Sequence, residues 1–226
     1  MSIVILNGSP KKTQSSTAAI IKIIKEIVGR EITTFQALDF TRKTEVENET
    51  IIEEILSADV LLIAFPLYVD ALPMPLVRVM QSIEKKGEVL KPMLKVYGIC
   101  HCGFYEASQN EVALRMIYNF CNRAGFAWQY GIGIGAGVFL GDAKDIKKGP
   151  TKVIFNVLYS LCSNIKSNLS EKRENIFITP SIPRFIYKFG GNMGWKRQAK
   201  GNGAADQLRA APFANKEFYQ EYGGFI

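Results

Sequence analysis

Between an apolar run, Ser2-Ile3-Val4-Ile5-Leu6, and an isoleucine-rich stretch that begins at Ile20 lies the polar segment Gly8-Ser9-Pro10-Lys11-Lys12-Thr13-Gln14-Ser15-Ser16-Thr17. Gly8 allows a sharp turn and Pro10 stiffens it. Ser9, Ser15, Ser16 and Thr17 supply hydroxyl donors, and Lys11 supplies charge. Where a strand passes into a helix, the first helical amides are unpaired and the helix dipole favours an anion, so this set suits a phosphate group. Each hydrogen bond to a charged phosphate contributes about 1.5–3 kcal/mol. Association itself costs roughly 4–15 kcal/mol. Phosphate contacts alone therefore do not hold a nucleotide tightly, and a flat ring has to be buried as well.

Other phosphate-binding patterns fail on spacing. The loop has no second glycine followed by lysine, as GxxxxGK[ST] requires, and GxGxxG is absent after the first apolar run. Gly131-Ile132-Gly133-Ile134-Gly135-Ala136 fits the looser GxGxxA form. It lacks a clear helix afterwards and an acidic residue about 20 positions on, so Gly131, Gly133, Gly135 and Gly137 read as a strand and its exit loop. Serines that only cap a helix are the plain alternative for the first loop. Two more loops follow apolar runs: Pro66-Leu67-Tyr68-Val69-Asp70-Ala71-Leu72-Pro73 and Cys102-Gly103-Phe104-Tyr105-Glu106. Tyr68 can stack on a flat ring or pack against a helix, and Asp70 can cap the helix that follows. His101, the sole histidine, can move a proton or serve as a structural strand-end residue. Cys100, Cys102, Cys121 and Cys162 form no CxxC pair and match no zinc or iron–sulfur spacing. Buried thiols in a reducing compartment explain them, with a Cys100–Cys102 redox pair as the alternative on shared strand facing.

The elements that position these loops alternate. Strands are expected at Ser2–Asn7, Glu31–Phe35, Asp59–Phe65, Lys95–His101 and Ala127–Val138. Helices are expected from Ile20 to Val28 with Gly29 as stop, over Glu49–Ser57, from Leu76 to Ile83 stopping near Gly87, and over Ser108–Ala124. Ser108 and Glu111 have the spacing of a capping box, and Gly125 is a natural stop. Alternating βαβ units imply a doubly wound α/β architecture, a parallel sheet with right-handed crossovers and helices on both faces. Such sheets bind ligands beyond the C-terminal ends of their strands, where the three loops fall. From Pro150 to Leu169 runs an amphipathic helix on Val153, Val157, Leu161 and Ile165. Beyond it, residues 181–203 mix Phe185, Tyr187, Phe189 and Trp195 with Lys188, Lys196, Arg197 and Lys200. That mixture suits cover for a ligand such as an anionic electron donor, a partner or a membrane surface, or a packed extension.

Composition bounds the rest. The 226 residues are 47% hydrophobic and 22% charged, which permits an ordinary core. No apolar run is long enough for a membrane span, and the N-terminus has no signal-peptide pattern, so a cytoplasmic location is expected. The net charge of +7 is unevenly placed. Residues 1–140 hold 14 basic and 14 acidic side chains, whereas residues 141–226 hold 14 basic and 7 acidic, so the second segment carries the whole excess. That favours an anionic ligand, surface or acidic partner, or a solvated basic face.

The order GSPKK–SST, PLYVDALPMPL and CGFYEASQN over residues 1–140 resembles the NAD(P)H-dependent FMN reductase branch of the flavodoxin-like superfamily. The resemblance implies a five-stranded flavodoxin-like domain at 1–140, with FMN as cofactor, followed by a helical, basic extension at 141–226 packed on the same domain or on a partner subunit. It places Ser9, Lys11, Ser16 and Thr17 at the FMN phosphate, with Ser15 beside them. Pro66, Leu67, Tyr68 and Val69 would lie along the isoalloxazine, and His101, Gly103, Phe104 and Tyr105 at its other edge. Chemistry would occur at the flavin N5, with no catalytic side chain and no metal. NADH or NADPH would be the donor and a quinone, flavin or other small molecule the acceptor. A homodimer is implied, with no nucleic acid partner. Val69 and Asp70 depart from the aromatic and small residues many relatives carry after PxY. The iron–sulfur relatives' cysteine cluster is missing. A flavodoxin-like electron carrier that docks to redox proteins is the alternative; length and basic charge favour the enzyme.

Overall fold

Aliphatic runs too apolar to face water on either side become the interior of a parallel sheet. In the computed structural model, residues 1–11, 15–86, 94–142, 146–168 and 173–210 are described. The strands are β1 Ile3–Asn7, β2 Thr33–Gln36, β3 Val60–Pro66, β4 Lys95–His101, β5 Ala127–Ile134 and β6 Ile176–Ile178, all parallel, in the order β2-β1-β3-β4-β5-β6. The helices are α1 Ser16–Val28, α2 Ala37–Phe40, α3 Glu45–Ser57, α4 Met74–Lys85, α5 Glu111–Ala124, α6 Val138–Asp142, α7 Lys152–Lys166 and α8 Arg184–Gly201. Residues Met1–Ile182 form one compact unit, and Pro183–Ile226 form a second that contains α8.

Strand alternation splits the core in two. Val4, Leu6, Leu61, Ile63, Phe65 and Cys100 face one side, where α3, α4 and α5 cover them with Ile52, Leu76, Ile83 and Ile117. Ile3, Ile5, Leu62, Ala64, Ile99 and Ile132 face the other, under Ile20 and Ile24 of α1 and Leu158 and Cys162 of α7. All four cysteines are free and buried, each holding a place in one of these layers or at the end of β4.

Several sequence expectations change. The sheet has six strands rather than five, because Ile176–Ile178 pairs with β5 at Ile132–Ile134. Three residues are too few to show a period-2 pattern. The helix expected from Glu49 begins at Glu45, where Thr44 and Glu47 form a reciprocal capping box. The box expected at Ser108 and Glu111 does not form: Ala107–Asn110 is a 3-10 turn, and Asn110 opens α5 without a side-chain cap. Gly29 and Gly125 do stop their helices, at φ 71° and 70°. Gly87 and Leu169 lie outside the described residues, as do Lys12, Thr13 and Gln14 of the first loop. The expected strand end at Val138 gives way to α6, while Gly149–Thr151 makes a 3-10 turn ahead of α7.

Candidate functional site

β1 carries the chain out at Asn7, and Gly8 then passes between β3 and α4. Its amide donates to the Ala64 carbonyl at 2.8 Å. A Cβ there would sit 2.8 Å from the Phe65 Cβ and 2.9 Å from a Leu76 methyl, so only glycine lets the loop leave along this path. Ser9 is buried and heavily tied. Its amide donates to Asn7 Oδ1 at 3.0 Å, its Oγ accepts from the Lys11 amide at 3.1 Å, and its carbonyl accepts from the Gln36 side chain at the end of β2. Ser15 is the N-cap of α1 and accepts from the Ala18 amide at 3.1 Å. The first turn of α1 holds no acidic residue. Among the described bonds, the amides of Ser16 and Thr17 reach no acceptor, as expected at a helix start. Ser16 is half-buried and Lys11 exposed.

Thr17 departs from a simple phosphate ligand. It is fully buried, and its Oγ1 lies 2.7 Å from His101 Nε2. Burial pushes the His101 imidazole down to about 4. The ring is therefore neutral at pH 7, adds no charge beside the anion-ready loop, and is poorly suited to relaying protons. It acts as a joint instead: its side chain holds the first loop, while its carbonyl accepts from the Leu67 amide of the second at 2.8 Å. Gly137 lies against it, where a Cβ would be 3.0 Å from Nδ1 and 3.2 Å from the Cys102 carbonyl oxygen.

The second loop ends in a tight turn. Tyr68 and Ala71 exchange backbone bonds of 3.1 and 2.9 Å around Val69 and Asp70, whose φ values are 46° and 57°. Two consecutive positive φ angles define a type I′ turn. A β-branched residue there is strained, and Val69 is 96% exposed at the tip. Asp70 lies within this turn, and the N-cap of α4 is Pro73, so Asp70 does not cap that helix. Pro66 and Leu67 are half-buried; Tyr68 is exposed.

The third loop is fastened from below. Ala136, also at positive φ (50°), donates its amide to the Phe104 carbonyl, and Gly137 donates to the Cys102 carbonyl at 2.8 Å. Tyr105 is half-buried; its hydroxyl donates to the Ile182 carbonyl at 2.8 Å, and its carbonyl accepts from Thr179 Oγ1 at 2.9 Å. Gly103 and Phe104 face outward. Three of the four non-glycine positive φ values among the described residues, at Val69, Asp70 and Ala136, thus lie at this end of the sheet.

The sequence expectation named Thr17, His101 and Leu67 separately; the bonds joining them needed the fold. Gln36 went unnamed, and Ala136 and Gly137 were read only as a strand's exit, with no part in the site. A polar residue ending β2 and the dense glycines after β5 were their only sequence signals.

The strand order 2-1-3-4-5 reverses at β1, so the loops after β1 and β3 flank the switch point, the usual ligand crevice of such sheets. No protein-family profile matches the chain, and no curated protein does. Solved structures do. One, described as an NADPH-quinone reductase from P. pentosaceus, is 16% identical over 73% of this chain and 99% of its own, with a TM-score of 0.52. Another, general stress protein 14 from Treponema denticola in complex with FMN, is 14% identical over 72% of this chain and 99% of its own, at 0.52. A third, an FMN-dependent NADH-azoreductase from Bacillus anthracis in complex with FMN, is 16% identical over 73% and 99%, at 0.50. The fold is flavodoxin-like. Here it carries the additional edge strand β6.

Proposed function

We propose that the chain is an FMN-dependent NAD(P)H oxidoreductase of the FMN reductase family, passing electrons to a quinone, flavin or other small acceptor. The observation that carries this reading is the convergence of three loops at the switch point, joined through His101. Their chemistry fits the cofactor. The first loop offers Lys11, Ser15, Ser16 and open helix amides for a monophosphate, with no carboxylate in the loop or the first helical turn. Tyr68 and Phe104, at 43% and 54% exposure, are the aromatic surfaces of the other two loops, and a flat ring would cover them. The solved structures named for FMN and for NADH or NADPH support the same assignment.

When bound, FMN accepts a hydride from a nicotinamide and hands electrons onward. The chain's contribution is binding, orientation and electrostatics. Ser16 and the first-turn amides hold the phosphate, while Ser9 and Thr17 shape the loop around it. Pro66, Leu67, Tyr68 and Val69 line one side of the ring, and His101, Gly103, Phe104 and Tyr105 the other. No side chain is assigned acid–base work.

Residues 1–140 carry the cofactor in this reading, with 141–226 as the extension, in a homodimer in the cytoplasm. No described helix is long and apolar enough to cross a membrane. Extraction and chromatography of the cofactor from purified, flavin-incubated protein tests the proposal: FMN is expected, and FAD or no flavin overturns it. Steady-state rates with NADH and NADPH against a panel of quinones, azo dyes and free flavin then define donor and acceptor.

A further inference from the structure

The loop after β4 is seated on glycines. Gly133 and Gly135 stand two apart at the end of β5 and so face the same way. A Cβ at Gly133 would lie 3.1 Å from the Asn110 Cβ; one at Gly135 would lie 2.8 Å from the Ala107 amide nitrogen and run into the Tyr105 carbonyl. The alternating glycines that fit GxGxxA in the sequence thus clear a seat for residues 102–110. Backbone bonds fasten the loop to that seat: the Cys102 amide donates to the Ile134 carbonyl at 2.9 Å, and the Phe104 and Cys102 carbonyls accept from Ala136 and Gly137. Asn110 holds it from beneath. This residue is fully buried where the 3-10 turn meets α5. Its Nδ2 donates to the Ala107 carbonyl at 2.9 Å, to the Ile134 carbonyl at 3.2 Å and to Cys102 Sγ at 3.4 Å. Cys102 in turn donates to the Phe104 carbonyl at 3.6 Å, so two bonds link the buried amide to a residue that faces outward. Asn110 Oδ1 is buried with no hydrogen-bond partner among the described residues. Turning the amide over would set that oxygen against two carbonyl oxygens, so its orientation is fixed. An unpaired buried acceptor costs stability, and what the donor side does in exchange is place the loop.

We propose that Asn110 is a positioning residue for the flavin: by fixing Gly103, Phe104 and Tyr105 against the end of β5, it sets the reduction potential of the bound ring. The inference rests on the FMN reading above, in which these three residues meet the ring's edge. Reduced flavin is richer in electrons than oxidised flavin. Backbone dipoles favour that extra charge most when they are already aimed and cannot relax away. A loop free to shift therefore loses affinity for the reduced ring first, while the phosphate, held by the first loop, is unaffected. Asn110 lies beneath the loop with no exposed surface, so it acts through the loop and not on the ring itself.

Asn110→Ala and Asn110→Ser are compared with the natural protein, each full-length, loaded with FMN and titrated against a reference dye of known potential. Asn110→Ala should keep its affinity for oxidised FMN and bind reduced FMN about tenfold more weakly, which lowers the two-electron potential by about 30 mV. Asn110→Ser keeps one donor and should recover part of the shift. Hydrogen exchange of the flavin-free proteins supplies a second reading: amides of residues 103–107 should exchange faster in Asn110→Ala, and those of β1 should not. Equal losses of affinity for both flavin forms leave the potential where it was. That result overturns the proposal even if the variants melt at lower temperature, and leaves Asn110 as a support of the fold alone. Should Asn110→Ala fail to fold, Asn110→Ser carries both measurements, with the same expected signs. A natural protein that takes up no FMN refutes the cofactor reading itself; FMN bound at an unaltered potential in the variants refutes only this inference.

Discussion

His101 should make the fold sensitive to mild acid. Its imidazole is 9% exposed and held at about 4 by burial, against an ordinary value of 6.5. Above pH 6.5 the ring is neutral in the folded and unfolded chain alike, and its contribution to stability is fully present. Between pH 6.5 and 4 the unfolded chain takes up the proton and the folded chain does not, so stability falls as pH drops through this window and levels off below it. At pH 4.5 this amounts to a loss on the order of 2–3 kcal/mol relative to pH 7.5. Carboxylates titrate over the same range, so the measurement is a difference. Urea unfolding is followed from pH 7.5 to 4.5 for the natural protein and for His101→Gln, whose amide reaches toward Thr17 as Nε2 does but does not titrate. The natural protein should lose more than the variant, by an amount on the order of 2–3 kcal/mol. Equal losses would refute a buried neutral histidine. A smaller loss in the natural protein would mean that the folded state prefers the imidazolium, the opposite of desolvation.

Three further outcomes follow from the site. Replacing Lys11 and Ser16 together by Ala should weaken FMN binding by tenfold or more, about 1.4 kcal/mol, and riboflavin binding much less; isothermal titration with both ligands checks this, and equal losses would mean that neither side chain acts on the phosphate. Replacing Val69-Asp70 by Asn-Gly, the pair suited to a type I′ turn, should relieve roughly 1–2 kcal/mol of backbone strain and raise the melting temperature; no rise would mean that the turn is not strained. Gly137→Ala should cost about 1–3 kcal/mol in unfolding experiments, because the added methyl meets the His101 ring and the Cys102 carbonyl, neither of which can retreat.

Much of the fold was legible in the sequence because strands buried on both faces leave continuous apolar runs. Ser2–Asn7, Asp59–Phe65 and Lys95–His101 foretold β1, β3 and β4 nearly to the residue, and Gly29 and Gly125 marked helix ends whose left-handed backbone favours glycine. Alternation of these runs with amphipathic helices was enough to imply a parallel sheet and to put the three loops at one end of it. What local pattern could not carry were features made by distant partners. β6 is a strand because β5 offers it hydrogen bonds, and no periodicity over Ile176–Ile178 says so. Ser108 and Glu111 had the spacing of a capping box, yet the chain enters α5 through a 3-10 turn in which Asn110 donates to the carbonyls of Ala107 and Ile134. The inward turn of Thr17 depends on His101, 84 positions away. Residue types and spacing determined which loops could bind an anion and a flat ring. Only the tertiary structure decided which hydroxyls are committed to holding the loops together, because burial and partner choice arise when separate strands come side by side.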